Sequence, residues 1–199
     1  MKNYLSLITF SHTIFALPFA LLGFFLASLQ LGEGLSARLF ALVMAAMIFA
    51  RSAAMAVNRY LDRDIDEKNP RTVQREIPAG IISAQSALLF VVMNCLLFIG
   101  VTWLINPLCF YLSPVALLVI LGYSYTKRFT FLCHFVLGLG LSLAPIGAYL
   151  AAGGGFDTIP IIYSFAVLCW VSGFDIIYAL LDEEFARSLS LHSVQVSLG

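Results

Sequence analysis

The chain has 199 residues, of which 61% are hydrophobic and 11% are charged, and its mean hydropathy is +0.95. This composition excludes an ordinary soluble domain and indicates a membrane protein. Eleven Lys and Arg residues balance eleven Asp and Glu residues, so the net charge by itself points to no acidic or basic partner.

Six apolar windows are predicted to cross the membrane, since each approaches the roughly 20 residues that a transmembrane helix needs. No alternating strand pattern is present, and lipid tolerates no open sheet edge, so the predicted fold is all-α. We expect a polytopic helical bundle that forms a single membrane domain over residues 1–199. The windows run approximately over residues 8–31, 37–57, 81–104, 108–125, 131–152 and 159–181.

The second window contains a charged residue, Arg51, well inside its apolar stretch. Arg51 comes seven residues before Asn58, so the two residues share nearly the same helical face. A charge at this depth usually has a function or a tight partner, although a long side chain can also reach the membrane interface. The depth of Arg51, two turns inside the window, favours the first interpretation.

An acidic motif follows the second window. If the helix continues through it, Asn58, Asp62 and Asp66 recur every fourth residue and share one face. Two carboxylates and an amide suit a hard divalent cation such as Mg²⁺, which leaves room for the phosphate oxygens of a substrate. The alternative is a solvated helix end whose acidic side chains pair with Arg59 and Arg63.

Two pairs of basic residues lie on the same side of the predicted membrane as this motif. Arg71 and Arg75 belong to loop 69–80, whose Pro and Gly residues indicate a shaped lid that supplies positive charge over phosphates. Lys127 and Arg128 follow the fourth window, where a basic pair commonly only anchors the topology. Near an acidic metal motif, however, they are candidate counter-charges for a diphosphate.

The last window ends in a second acidic motif. Asp175, Tyr178 and Asp182 are spaced by three and four residues and therefore lie on one helical face. Asp175 lies inside the apolar run, where a carboxylate costs a few kcal/mol and should face a polar cavity or a partner. The two acidic motifs at corresponding depth predict a bipartite site for a metal ion and a diphosphate.

The distribution of positive charge predicts the orientation of the bundle. Six spans place both termini on one side, together with loops 58–80 and 125–130. Since cytoplasmic loops carry an excess of Lys and Arg, the acidic motifs are expected at the cytoplasmic face. The other side has only Arg38, with Glu33 and Asp157, whereas the first side has Lys2, Arg59, Arg63, Lys68, Arg71, Arg75, Lys127, Arg128 and Arg187.

Taken together, these motifs resemble the UbiA superfamily of intramembrane prenyltransferases, and within it the 4-hydroxybenzoate polyprenyltransferase-like branch of ubiquinone and menaquinone synthesis. The resemblance covers the whole chain. It is carried by Arg51, by the Asn58, Asp62, Asp66 motif with Arg71 and Arg75, by the Tyr123–Arg128 segment, by the Asp175, Tyr178, Asp182 motif, and by residues 11–18 of the first window.

The resemblance implies Mg²⁺-dependent transfer of a polyprenyl group from its diphosphate to an aromatic acceptor, in a bacterial inner membrane. By the same analogy, Asn58, Asp62, Asp66 and Asp182 hold the metal ion, and the catalytic set is Asp62, Asp66, Asp175 and Asp182. The analogy also implies a place for His12 near the acceptor, although a lone His in a first span is more often a packing residue. The implied substrate-binding residues are Arg51, Asn58, Arg71, Arg75, Lys127, Arg128, Tyr178 and His12.

The chain departs from the pattern of that family in two respects. Ala186 stands where a further Asp is usual, and Ser190 replaces a usual Gly. The resemblance also implies about nine spans, of which about six fit here, so we expect a fragment that lacks C-terminal helices and has little activity by itself. The alternatives are an impaired paralogue with a structural role or a transporter, although the inverted repeats typical of transporters are not evident.

Overall fold

The computed structural model describes residues 2–8, 10–32, 36–126 and 128–180, and this part of the chain contains helices and turns but no strand. The all-α prediction is therefore confirmed. The helices are α1 (Lys2–Leu7), α2 (Phe10–Leu31), α3 (Ala37–Asp66), α4 (Ala84–Ile105), α5 (Pro107–Thr126), α6 (Cys133–Ala151) and α7 (Thr158–Ala179).

Five of these helices, α3 to α7, are long and apolar enough to cross a membrane, and the apolar stretch Ala16–Leu31 forms most of α2. The predicted spans thus correspond to α2 to α7. The first boundary was predicted wrongly: the helix expected from residue 8 begins at Phe10, because a turn at Ile8 separates it from α1. Pro107 occupies the first position of α5, where its missing N–H leaves no helical hydrogen bond unmade.

Helix α3 is the longest element, with 30 residues. At 1.5 Å per residue it is about 45 Å long, which exceeds a hydrocarbon core of about 30 Å. The helix does not stop at residue 57 but continues to Asp66, so the acidic motif is helical, as the four-residue spacing requires. Arg51 lies about 10 Å below Asn58 along the helix axis.

Small residues allow the helices to approach closely. A Cβ atom added at Gly23 on α2 would overlap the carbonyl group of Pro145 on α6. A Cβ at Gly138 on α6 would lie 2.7 Å from the carbonyl oxygen of Leu168 on α7 and would overlap the Ser172 hydroxyl. Helix α6 is therefore fixed against both α2 and α7 by close backbone contacts, as is common in membrane bundles.

The bundle has two ends with separate buried clusters. We call the end at which α3 finishes, with the 67–83 connection, the motif end; its apolar cluster comprises Leu7, Ala56, Ile82, Ala87 and Val91. The opposite end contains the start of α3 and the C-terminal halves of α2 and α6, and its cluster comprises Ala20, Phe24, Val43, Ala148 and Ala151. The polar residues of interest differ in kind between these two ends.

Candidate functional site

The Asn58, Asp62 and Asp66 side chains lie on one face of α3 and turn into the bundle. Asp62 and Asp66 are only 3% and 4% exposed. The Asn58 amide donates to Asp62 Oδ2 at 3.0 Å and lies 3.4 Å from the hydroxyl oxygen of Ser124 on α5. The predicted stripe therefore forms, and Ser124 connects it to α5.

The 67–83 connection is folded over the end of this stripe. Arg75 donates through Nη1 to Oδ1 and Oδ2 of Asp66 at 2.7 and 2.9 Å, and the Thr72 hydroxyl donates to the Asp66 carbonyl oxygen at 3.2 Å. Asn69 accepts a hydrogen bond from the Arg71 N–H at 2.9 Å, which shapes the turn. The connection thus lies over the end of the stripe, and Arg75 pairs with an acidic residue of the stripe itself; its role as a lid over phosphates stays a prediction.

The motif end of α7 contacts both the cover and α6. Arg71 Nη1 lies 3.4 Å from the Tyr178 hydroxyl, and its guanidinium carbon lies 5.8 Å from the centre of the Tyr178 ring. One turn earlier on α7, Asp175 Oδ2 lies 2.7 Å from Nδ1 of His134 on α6. Asp175 thus has a partner inside the bundle, as its position in an apolar helix requires.

Arg51 lines an apolar cavity of about 180 Å³ that lies below the acidic stripe. Its Nε atom is buried and has no hydrogen-bond partner among the described residues. Most of the wall comes from Ala, Leu, Val and Ile side chains of α2 to α6, and Tyr123 is one of its few polar members. Tyr123 is also within electrostatic range of Arg51, Asp62 and Asp175, so this residue of the cavity wall lies near both acidic motifs.

The solvated-helix alternative accounts for only part of the charge at the end of α3. Arg63 pairs with Asp64 at 3.5 Å and donates to the Tyr60 carbonyl oxygen at 2.7 Å, and all three residues belong to the outer face of the helix. Arg59, by contrast, interacts electrostatically with Asp62, Asp66, Arg75 and Glu76. The outer face matches a solvated helix end, whereas the inner face is a charged, buried cluster.

The remaining predicted residues are distributed as follows. Arg128 is exposed and donates to the Leu61 carbonyl oxygen on α3, which places a cation beside the stripe. The backbone of His12 belongs to α2, and its side chain lies outside the description. Lys127, Asp182, Ala186 and Ser190 also lie outside the described residues, so their assignments stay predictions.

Two polar residues near the site were not identified from the sequence: His134, which is 5% exposed, and Ser124, which is 1% exposed. A signal for His134 did exist, because Asp175 needed a polar partner within the membrane and His134 is a polar residue in the neighbouring apolar helix. No comparable signal marks Ser124, since serine is common in membrane helices.

The oxygen-bearing side chains of α3 suit the way in which proteins usually bind Mg²⁺. Within the ranges that the structure describes, no three His, Cys, Asp or Glu side chains gather to hold a metal by themselves. Mg²⁺, however, is usually held by one or two carboxylates together with water and substrate phosphates. Asn58, Asp62 and Asp66 provide such a partial set of oxygen ligands.

Comparison with known proteins gives a consistent result. A model of the UbiA prenyltransferase family matches residues 16–199. The 4-hydroxybenzoate octaprenyltransferase of Tolumonas auensis is 33% identical over 159 residues, which are 79% of this chain and 56% of that protein. The enzyme of the same name from Vesicomyosocius okutanii is 35% identical over 150 residues, or 74% of this chain and 54% of that one. The chain thus spans about half the length of these curated relatives.

Solved structures show the same fold. A UbiA homologue from Aeropyrum pernix, solved without ligand, has a TM-score of 0.85 and 34% identity over 95% of this chain and 70% of its own. A UbiA homologue from Archaeoglobus fulgidus, solved with GPP and Mg²⁺, has a TM-score of 0.75 over 99% of this chain and 69% of its own. At 23% identity the second likeness concerns the fold alone.

Proposed function

Since the chain belongs to the UbiA prenyltransferase family, we propose that it transfers a polyprenyl group from a polyprenyl diphosphate to an aromatic acceptor of the 4-hydroxybenzoate type. One observation carries this proposal: a cavity with a buried arginine lies directly below an acidic stripe on the same helix. The cavity and the stripe suit the two substrates of such a transfer, and Tyr123 lies where they meet.

The stripe is suited to the diphosphate end of the donor. Asn58, Asp62 and Asp66 would hold Mg²⁺, with Asp182 as a further predicted ligand. When bound, Mg²⁺ supplies positive charge that stabilises the departing diphosphate. Arg71, Arg75, Lys127 and Arg128 would supply additional cations for the diphosphate.

The cavity is suited to the acceptor. An apolar cavity of about 150 Å³ can hold a benzene ring, and the one below the stripe has about 180 Å³. The buried guanidinium of Arg51 would bind the carboxylate of a benzoate, which would also satisfy its unpaired Nε. A carboxylate there orients the ring with its opposite side toward Tyr123 and the stripe. The names of the relatives, which are 4-hydroxybenzoate octaprenyltransferases, support the same acceptor class.

The proposed reaction breaks one bond and forms another. The allylic C–O bond of the donor breaks, and the diphosphate leaves with the electron pair. The allylic cation forms a C–C bond with the acceptor ring, and the ring then loses a proton. Asp175 is the described carboxylate of the second acidic motif, and it does not belong to the α3 stripe that would hold Mg²⁺. We therefore assign the proton acceptor to Asp175. The apolar helices around the junction exclude the water that would otherwise capture the cation.

We place the site at the cytoplasmic face of an inner membrane, in quinone synthesis. The excess of basic residues at the motif end supports this orientation. The bacterial relatives support the inner membrane, and their names support an acceptor of the 4-hydroxybenzoate type.

The test is an assay of membranes that contain the full-length protein, with radiolabelled geranyl diphosphate and 4-hydroxybenzoate. We expect a labelled aromatic product in the presence of Mg²⁺ and none after chelation with EDTA. The matched acceptor 4-methylphenol, which lacks the carboxylate for Arg51, should react at least about tenfold more slowly. Absence of product, or equal rates with and without Mg²⁺, would overturn the proposal.

A further inference from the structure

The pair formed by His134 and Asp175 connects α6 to α7 within the bundle. His134 Nδ1 and Asp175 Oδ2 are 2.7 Å apart. An ionised carboxylate only accepts hydrogen bonds, so the imidazole donates from Nδ1. His134 is 5% exposed, whereas the Asp175 side chain is 32% exposed. One oxygen of Asp175 is thus held by the protein, and the group as a whole still has access to open space.

The surroundings of the pair are rigid. Gly138 lies one turn after His134 on α6, and its backbone rests against Leu168 and Ser172 of α7. A contact of this kind prevents α6 and α7 from sliding past each other without overlap. The imidazole is therefore held at a fixed distance from Asp175, which suits it to orient that carboxylate.

Asp175 lies within electrostatic range of Tyr123 in the cavity wall, as do Asp62 on the acidic stripe and Arg51 in the cavity, so it lies near the junction of the proposed donor and acceptor regions. We propose that His134 is a positioning residue of prenyl transfer, which holds the Asp175 carboxylate toward the reacting groups at this junction. The inference rests on the proposed function and assigns a role to a residue that the two acidic motifs do not contain.

A purely structural role is the alternative, in which the imidazole only offsets the cost of a carboxylate within the membrane. The two roles differ in what the loss of His134 changes. If His134 acts on turnover through Asp175, its removal lowers the kcat of the folded protein and has no further effect on kcat once Asp175 has been replaced. If His134 only offsets the cost of the carboxylate, its removal lowers the stability of the bundle and leaves the kcat of the folded protein unchanged.

The experiment is a double-mutant cycle on the full-length protein with His134→Leu, Asp175→Asn and the double variant, assayed for Mg²⁺-dependent prenyl transfer. We expect His134→Leu to lower kcat about ten- to a hundredfold, since a hydrogen bond to a charged group is lost. The KM for geranyl diphosphate should change less than threefold. In the Asp175→Asn background, His134→Leu should change kcat less than about twofold.

A matched pair of amide variants addresses the position of the donor. The amide nitrogen of Asn lies near the position of imidazole Nδ1, whereas that of Gln lies near Nε2. His134→Asn should therefore recover most of the activity, and His134→Gln should not. The comparison of the Asn and Gln variants tests the positioning role even if His134→Leu fails to fold. Thermal unfolding in detergent verifies that both amide variants are folded.

Three results would overturn the inference while leaving the proposed function intact: normal kcat in His134→Leu, losses that add fully in the double variant, or equal activity of the Asn and Gln variants. A wild-type protein that transfers no prenyl group would overturn the proposed function, and this inference with it.

Discussion

The two ends of the bundle are held together by different chemistry. At the motif end the buried groups are charged: Arg75 binds Asp66, His134 binds Asp175, and Arg51 is buried in the cavity below them. At the opposite end the buried partners are mostly neutral, and their hydrogen bonds fasten helix ends together. Buried charges cost more than they return unless they are fully paired, so they are weak evidence of stabilisation.

Two residues illustrate the opposite end. The Tyr149 hydroxyl lies 2.6 Å from Asp157 Oδ2 and 2.8 Å from Gln30 Oε1, which links α6 to the start of α7 and to α2. Asn106, between α4 and α5, donates to the Leu150 carbonyl oxygen at 2.9 Å and accepts from the Cys109 N–H at 2.8 Å. Each of these hydrogen bonds joins residues that lie at the same end of the bundle. The hydrogen bonds of the opposite end are therefore expected to supply stability, and we propose that the costly charges of the motif end serve function.

The largest effect on activity is expected when the carboxylates of the acidic stripe are neutralised. Asp62→Asn and Asp66→Asn keep the shape of the side chain but remove a charge that Mg²⁺ needs. Each should reduce Mg²⁺-dependent prenyl transfer by about a hundredfold or more. The melting temperature of Asp62→Asn in detergent should fall little, whereas that of Asp66→Asn should fall because Arg75 loses its carboxylate partner. Turnover of both variants is therefore compared well below their unfolding temperatures. Wild-type turnover in either variant would remove these residues from the proposed metal site.

The next largest effect is expected from Arg51. Arg51→Met should raise the KM for 4-hydroxybenzoate about ten- to a hundredfold, since the hydrogen bonds between the guanidinium and the carboxylate are lost. The KM for geranyl diphosphate should stay constant, because the cation lies about 10 Å below the stripe. Arg63→Met on the outer face of the same helix is the matched control and should change neither constant. A rise in the donor KM alone would show that Arg51 serves the diphosphate instead.

A substitution at the opposite end should lower the stability of the protein and leave its turnover nearly unchanged. Tyr149→Phe removes a buried hydroxyl from both Asp157 and Gln30 and should destabilise the protein by about 1–3 kcal/mol. Its kcat at a temperature well below unfolding should stay within about twofold of wild type. Tyr111→Phe provides the control, because Tyr111 is 74% exposed and the change should leave thermal unfolding unaltered. A large loss of kcat in a stably folded Tyr149→Phe would show that the two ends are not separable.

The smallest effect is expected from the basic pair that follows α5. Lys127→Gln or Arg128→Gln should raise the KM for the diphosphate about two- to fivefold and leave the KM for the aromatic acceptor unchanged, because an exposed charge such as that of Arg128 contributes about 1 kcal/mol or less. Arg38→Gln places the same charge change at the opposite end and should have no effect on either constant. If the acceptor KM rises while the donor KM stays constant, the assigned role is wrong.

The sequence allowed the helices and one functional face to be predicted, because both depend on local pattern. Apolar length identified the spans, and the four-residue spacing of Asn58, Asp62 and Asp66 required the helical extension that α3 has. The turn at Ile8 was missed, since an apolar run carries no information about a break within it.

Contacts between helices could not be predicted in the same way. The pairing of Arg75 with Asp66 depends on how the 67–83 connection folds back, and the pairing of His134 with Asp175 depends on which helices are neighbours. Hydrophobic periodicity identifies a buried face but does not specify the partner that covers it. For the same reason the cavity around Arg51, which five helices enclose, has no signature in the sequence beyond the arginine itself.

The central claim, that the motif end binds a prenyl diphosphate through Mg²⁺, is tested most directly by calorimetric titration of the full-length protein with geranyl thiodiphosphate, an analogue that does not ionise readily. We predict binding to the wild type and to Tyr149→Phe that requires Mg²⁺, and a loss of that binding in Asp62→Asn. Equal affinity with and without Mg²⁺, or unchanged binding to Asp62→Asn, would contradict the claim.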